Sequence, residues 1–182
     1  MKMKTLALTA LLLTSSPLVW SQACEIPMSQ INVAGVALNG SFAQFQRQHP
    51  SAKKQSFGKN DLRIEFTNSN TDAALERQGV TSAMHIALNP RNERIESYGL
   101  NFTDGKFATL DTPLEHFHRR LLQTFQLPKH GWKKHGQSYV YRCNDYHIDI
   151  TQDHGDGRQT LGATILVIGK DSDMFKDASL YN

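Results

Sequence analysis

The sequence is short of cysteine, of long apolar runs and of recognisable catalytic motifs, and each shortage narrows the protein class. Two cysteines among 182 residues allow a single intramolecular pairing. Beyond residue 23, no apolar run reaches the length of a transmembrane helix. Phosphate-binding glycine loops, dinucleotide fingerprints and Gly-x-Ser-x-Gly elbows are missing, so the sequence names no reaction, catalytic residue or cofactor. With 39% hydrophobic and 20% charged residues, the chain is typical of a globular protein.

The N-terminus has the three regions of a signal peptide in the correct order. Two lysines precede an apolar core over residues 6–13. Ser21-Gln22-Ala23 then has small residues at the two positions that a signal peptidase recognises before its cleavage site. We therefore predict a signal peptide over residues 1–23 and a periplasmic or secreted protein. Its removal takes away two of the 20 basic residues and none of the 17 acidic ones, which leaves a formal charge of +1. So small a charge argues against a nucleic-acid-binding protein.

The two cysteines have two possible fates after export. In an oxidising compartment, a disulfide between Cys24 and Cys143 is the simplest outcome. The alternative is lipidation of Cys24 as the first mature residue, as in bacterial lipoproteins. Ser21 and Gln22 are atypical of a lipoprotein signal, so the disulfide is favoured.

Two helices are predicted from their start signals. Ser41 is a plausible N-cap for a helix from Phe42 to about Gln48, which Pro50 ends. Thr112-Pro113-Leu114-Glu115 predicts a second start, with Thr112 as the cap in a capping box. A short third helix is expected over 73–78.

Strands are predicted where apolar residues alternate or form short buried runs. These segments are 62–66, 82–88, 94–102, 139–143, 146–150 and 163–168. Residues 51–60 and 129–136 are interpreted as basic connectors. We predict a central strand, buried on both faces, over 163–168.

The order of these elements predicts an α+β fold, an antiparallel sheet with two main helices packed on one face. The order helix, then about three strands, occurs twice, which is compatible with a duplicated helix-plus-strands unit. We expect one domain over 24–170 and a polar C-terminal tail over 171–182.

Two surface regions are the candidate binding sites. The first is a cationic group around one tryptophan: Arg119, Arg120, Lys129, Trp132, Lys133 and Lys134. It suits an acidic protein or an anionic glycan. The alternative is that Trp132 fills a core position and the lysines form a solvated rim. The second is a polar hairpin loop: Asp153, His154, Asp156 and Arg158. Its Asp and Gly residues lack the spacing of a calcium loop.

Histidine spacing gives no basis for a metal site. His116 and His118 point about 200° apart on a helix, so they cannot share an ion there. The leading prediction is an exported, non-enzymatic binding protein of inhibitor or immunity type that acts on a protein or envelope component. One alternative is an envelope hydrolase that uses His147 with Asp153, His154 and Asp156. The other is a small-ligand carrier, which requires an apolar cavity between a helix and the sheet.

Overall fold

A computed structural model describes residues 22–67, 69–153 and 162–178, with the backbone alone for 176–178. Most of the predicted signal peptide lies outside the described residues. So do His154, Asp156 and Arg158 of the predicted polar loop.

The described chain forms helices and strands in the following order. The helices are α1 Phe42–Gln48, α2 Ala73–Arg77, α3 Leu114–Phe125 and α4 Asp173–Ala178. The first five strands are β1 Asn32–Val33, β2 Val36–Ala37, β3 Ala52–Gly58, β4 Asp61–Phe66 and β5 Ser82–Leu88. The others are β6 Ile95–Asn101, β7 Lys133–His135, β8 Ser138–Arg142, β9 Tyr146–Asp153 and β10 Gly162–Gly169.

Eight of the strands form one antiparallel sheet in the order β3-β4-β5-β6-β10-β9-β8-β7. Two successive units build it, and each begins with a helix and has four strands that pair in chain order; the first also contains α2, between β4 and β5. The units meet where β6 pairs with β10. The small hairpin β1-β2 precedes them, and its turn has positive φ at both Ala34 (56°) and Gly35 (92°). Positive φ at both central residues is typical of a type I′ turn.

Helices α1 and α3 cover the same face of this sheet. The ring of Phe45 on α1 lies 6.3 Å from that of Phe66 on β4. Phe117 on α3 lies 5.9 Å from Phe102, which follows β6. Tyr98 and Ile148, on β6 and β9, are also fully buried on this side. The predicted α+β fold with two helices on one face is therefore confirmed. We call the opposite side, to which the alternate side chains of each strand point, the open face.

Most predicted elements are found, but two details were wrong. Ser41 accepts a hydrogen bond from the Gln44 amide as the cap of α1. Thr112 does not cap α3: Pro113 occupies that position, and the Thr112 hydroxyl accepts instead from the Thr109 amide. The basic connectors over 51–60 and 129–136 contain β3 and β7, so each unit has four strands rather than three. The segment predicted as a polar tail includes α4.

The predicted disulfide is present and holds the residues around Cys24 against the second unit. Cys24 and Cys143 are bonded, with their Cα atoms 5.0 Å apart. Because its sulfur is engaged with Cys143, Cys24 cannot carry the thioether of a lipoprotein. The Glu25 carboxylate accepts from the amides of Lys129 (3.0 Å) and His130 (2.8 Å). We call residues 22–28 the N-terminal strap.

Candidate functional site

The open face carries a groove of about 520 Å³ over the second unit, between β8, β9, β10 and α4. Its walls combine aliphatic side chains with charged and hydroxylic ones. The lining residues used below are His135, Ser138, Val140, Arg142, His147, Asp149, Leu166, Ile168 and Met174. A groove of this volume is within the range of protein ligand sites.

The strand register places the lining residues in rows across the sheet. Directly paired residues of neighbouring strands point to the same side. One row is Val140, Asp149 and Leu166, and the next is Arg142, His147 and Ile168. A third row is Ser138, Thr151 and Thr164. Aliphatic residues therefore form a floor, with a cation, a carboxylate and a histidine set among them.

Helix α4 forms one wall of the groove. The Ser172 hydroxyl accepts from the Met174 amide at the start of the helix. The ring of Phe175 then stacks on His147 at 4.2 Å. Just before α4, the Lys170 ammonium donates to the Asp145 carboxylate at 2.7 Å, which ties β10 to the β8–β9 turn. Met174 is 42% exposed beside the groove.

Burial controls the protonation of the ionisable side chains in the groove. Burial, together with the nearby Arg142 charge, lowers the pKa of His147 to about 4. Its Nδ1 atom is buried and has no hydrogen-bond partner among the described residues. Burial also raises the pKa of Asp149, and the hydroxyls of Thr151 and Ser138 and the charge of Arg142 oppose that shift. At neutral pH the His147 imidazole is therefore neutral, and it shares the groove with the Arg142 guanidinium, the Asp149 carboxyl group and a second imidazole, that of His135.

These groups suit recognition of a polar, partly aliphatic surface. Arg142 offers donors only, ionised Asp149 offers acceptors only, and the floor favours apolar atoms. The Thr151 hydroxyl donates to Asp149 at 3.1 Å and lies 2.7 Å from the Ser138 oxygen, so the carboxylate is held in place.

Comparison with protein-family models, curated proteins and solved structures finds no match. The site is therefore interpreted from its own geometry.

The predicted cationic group lies at the β7 end of the sheet, mainly on the helix side. Trp132 is half-buried, donates from Nε1 to the Pro128 carbonyl at 2.7 Å and packs edge-on against His118. Lys134 pairs with Glu115 of α3. Trp132 thus fills a position against the core, which is the second of the two roles that the sequence left open.

The other members of that group are divided between the two sides. Arg120 donates to the Phe107 carbonyl at 2.6 Å, while Arg119 and Lys129 are exposed. Lys133 pairs with Val140 in the sheet register, so it lies at the margin of the open face. Lys133 therefore lies on the opposite side of the sheet from its neighbour Lys134.

The residues predicted for a hydrolase are widely spaced where they are described. His147 and Asp153 lie on the same side of β9, and six residues of extended strand separate them by about 20 Å. Within residues 22–67, 69–153 and 162–178, no three His, Cys, Asp or Glu side chains come close enough to hold a metal ion. Nor does any helix there have the length and hydropathy of a membrane span.

Sequence reasoning missed two features. The groove residues on β8 and β9 occupy the alternate positions opposite the predicted core face, so their alternation was a usable signal. Their convergence with Leu166 and Met174 depends on the strand register and on the position of α4.

The other feature is a buried pair in the first unit: both carboxylate oxygens of Asp72 contact His49 Nδ1, at 3.0 and 2.9 Å. Asp72 also caps α2.

Proposed function

We propose that this is an exported, non-enzymatic binding protein that holds a partner protein against the open face of its sheet. Inhibitor-type or immunity-type binding is the class that fits best. The signal-peptide features and the disulfide support export to an oxidising compartment.

The observation that carries the proposal is the distribution of exposed apolar side chains. Four large hydrophobic residues of the described chain are well exposed: Phe57, Met84, Leu110 and Met174. Phe57 lies beside Arg63 of the open face, and its ring centroid is 5.0 Å from the guanidinium carbon. Large apolar side chains exposed among polar ones on one face favour that face for protein interaction.

Met84 and Met174 belong to the same side. A Cβ atom added to Gly99 would lie 2.8 Å from the Met84 methyl carbon. Because Gly99 pairs with Leu166 of the groove floor, Met84 lies over the open face. Met174 borders the groove, whereas Leu110 precedes α3 and its carbonyl accepts from Gln152 on the core side. Three of the four exposed hydrophobic residues therefore support the open face as the binding surface.

Site-specific photo-crosslinking in the cells that produce the protein tests this proposal. A benzophenone side chain replaces Met84 in one variant and Leu110 in a matched control, since these positions are 44% and 43% exposed. We expect one adduct of defined mass from position 84 and at most a trace from position 110. Equal adducts from both positions, or none from position 84 or from a second open-face position at Phe57, would overturn the proposal.

A further inference from the structure

We propose that the groove is the anchor point of the open face, and that it takes an uncharged, extended segment of the partner with an aliphatic side chain on the floor. This inference rests on the proposed function, because it assumes a protein partner. It names the chemistry that the partner must offer at this point.

The floor indicates the aliphatic part of the occupant. Leu166 and Ile168 are successive residues on this side of β10, and Met174 borders the groove from α4. Val140 lies two strands away in the same row as Leu166, with Asp149 between them. An aliphatic side chain placed there loses water-exposed apolar surface and gains contacts with several others. Interface residues contribute most to affinity where they fill well-packed, desolvated pockets.

The charges of the groove indicate that the occupant carries none. Arg142 and Asp149 are diagonal neighbours on paired strands, with Cα atoms roughly 7–8 Å apart. A ligand carboxylate at Arg142 would also face Asp149, and a ligand ammonium at Asp149 would also face Arg142. Either ion would meet a like charge in a partly buried site. A neutral occupant with both an acceptor and a donor avoids this repulsion.

A peptide main chain has this arrangement of groups. Its carbonyl oxygens can accept from Arg142, and its amide hydrogens can donate to Asp149. The Ser138 and Thr151 hydroxyls already orient the Asp149 carboxylate, so little ordering is needed when the segment binds.

The test uses the processed, disulfide-bonded protein and three small probes. N-acetyl-leucyl-alanine amide carries the proposed aliphatic side chain and two peptide groups. N-acetyl-alanyl-alanine amide lacks the aliphatic anchor, and octanoate has an aliphatic chain with a carboxylate. We expect the leucyl probe to shift the amide resonances of Val140, Leu166 and Ile168, with a Kd on the order of 1 mM. The alanyl probe should bind at least about fivefold more weakly.

Asp149→Asn distinguishes a peptide site from an anion site by the sign of its effect. For the leucyl probe, it removes a charge-assisted hydrogen bond and should weaken binding about tenfold. For octanoate, the same change would remove a like charge and strengthen binding. Glu65→Gln, an equivalent change on β4 outside the groove, should alter neither.

Two results would overturn the inference. In the first, octanoate binds, Asp149→Asn strengthens its binding, and the leucyl probe does not shift the amide resonances of the groove. The other is the absence of leucyl-probe shifts in the groove at 20 mM. Both differ from failure of the proposed function, which the crosslinking from position 84 reports separately. A partner adduct without probe binding would remove the anchor site alone.

Discussion

Removing the disulfide should destabilise the protein strongly, because the bond closes a long loop. Cys24 and Cys143 are 119 residues apart in sequence. The chain-entropy relation assigns such a loop a stabilisation of about 5 kcal/mol, through restriction of the unfolded chain. For a domain of this size, each 1 kcal/mol changes Tm by about 2–4 °C. We therefore expect the double variant Cys24→Ser/Cys143→Ser to melt about 10–20 °C below the native protein.

Loss of the bond also releases the N-terminal strap. Its remaining contacts include the hydrogen bonds from the Glu25 amide to the Tyr141 hydroxyl and from the Tyr146 hydroxyl to the Ile26 carbonyl. Both bonds depend on the strap staying next to β8 and β9. Native-state hydrogen exchange should therefore show loss of protection at Glu25 in the double variant.

The assay is a circular-dichroism melt of both proteins, with and without reductant. The native protein in reductant should approach the Tm of the double variant, and the double variant should not respond to reductant. A decrease in Tm below about 4 °C would refute the loop-closure reasoning, because it would mean that the unfolded chain is already restricted without the bond.

Three further changes have definite expected outcomes. Asp72→Ala leaves buried His49 unpaired and uncaps α2, so the free energy of unfolding in urea should fall by about 3 kcal/mol. Acidification from pH 6.5 to 4 should lower Tm. Over this range His147 binds a proton in the unfolded chain but not in the folded protein, where its pKa is about 4. The variant His147→Phe should therefore show a smaller dependence of Tm on pH. Trp132→Ala should lower Tm through lost packing against His118.

Conservative variants provide the controls for these measurements. Asp72→Asn keeps an oxygen for the α2 amides and for His49, so it should cost less than the alanine change. An unchanged pH dependence in His147→Phe would assign the effect to other groups. Trp132→Phe should retain most of the packing. Loss of the crosslinked adduct in Trp132→Ala at unchanged Tm would instead favour the cationic group around Trp132 as the binding site.

Local sequence patterns alone determined a large part of the fold. The Ser41 cap, the alternation over 82–88 and 95–101 and the apolar run over 163–168 act within a few residues, so they could be interpreted without tertiary information. The sequence also identified the one possible cysteine pair, whereas the structure decided between the disulfide and lipidation of Cys24. The helix-plus-strands order, occurring twice, predicted the two-unit architecture in outline.

The tertiary structure decided the sheet edges and the candidate site. β3 and β7 carry mostly exposed side chains, since an edge strand with one uncovered side needs no apolar alternation. Arg142, Asp149 and Leu166 become neighbours only through the register of three strands. Cross-strand register and the position of α4 are set by packing between distant segments. For this reason the sequence contained every groove residue but did not indicate that they meet.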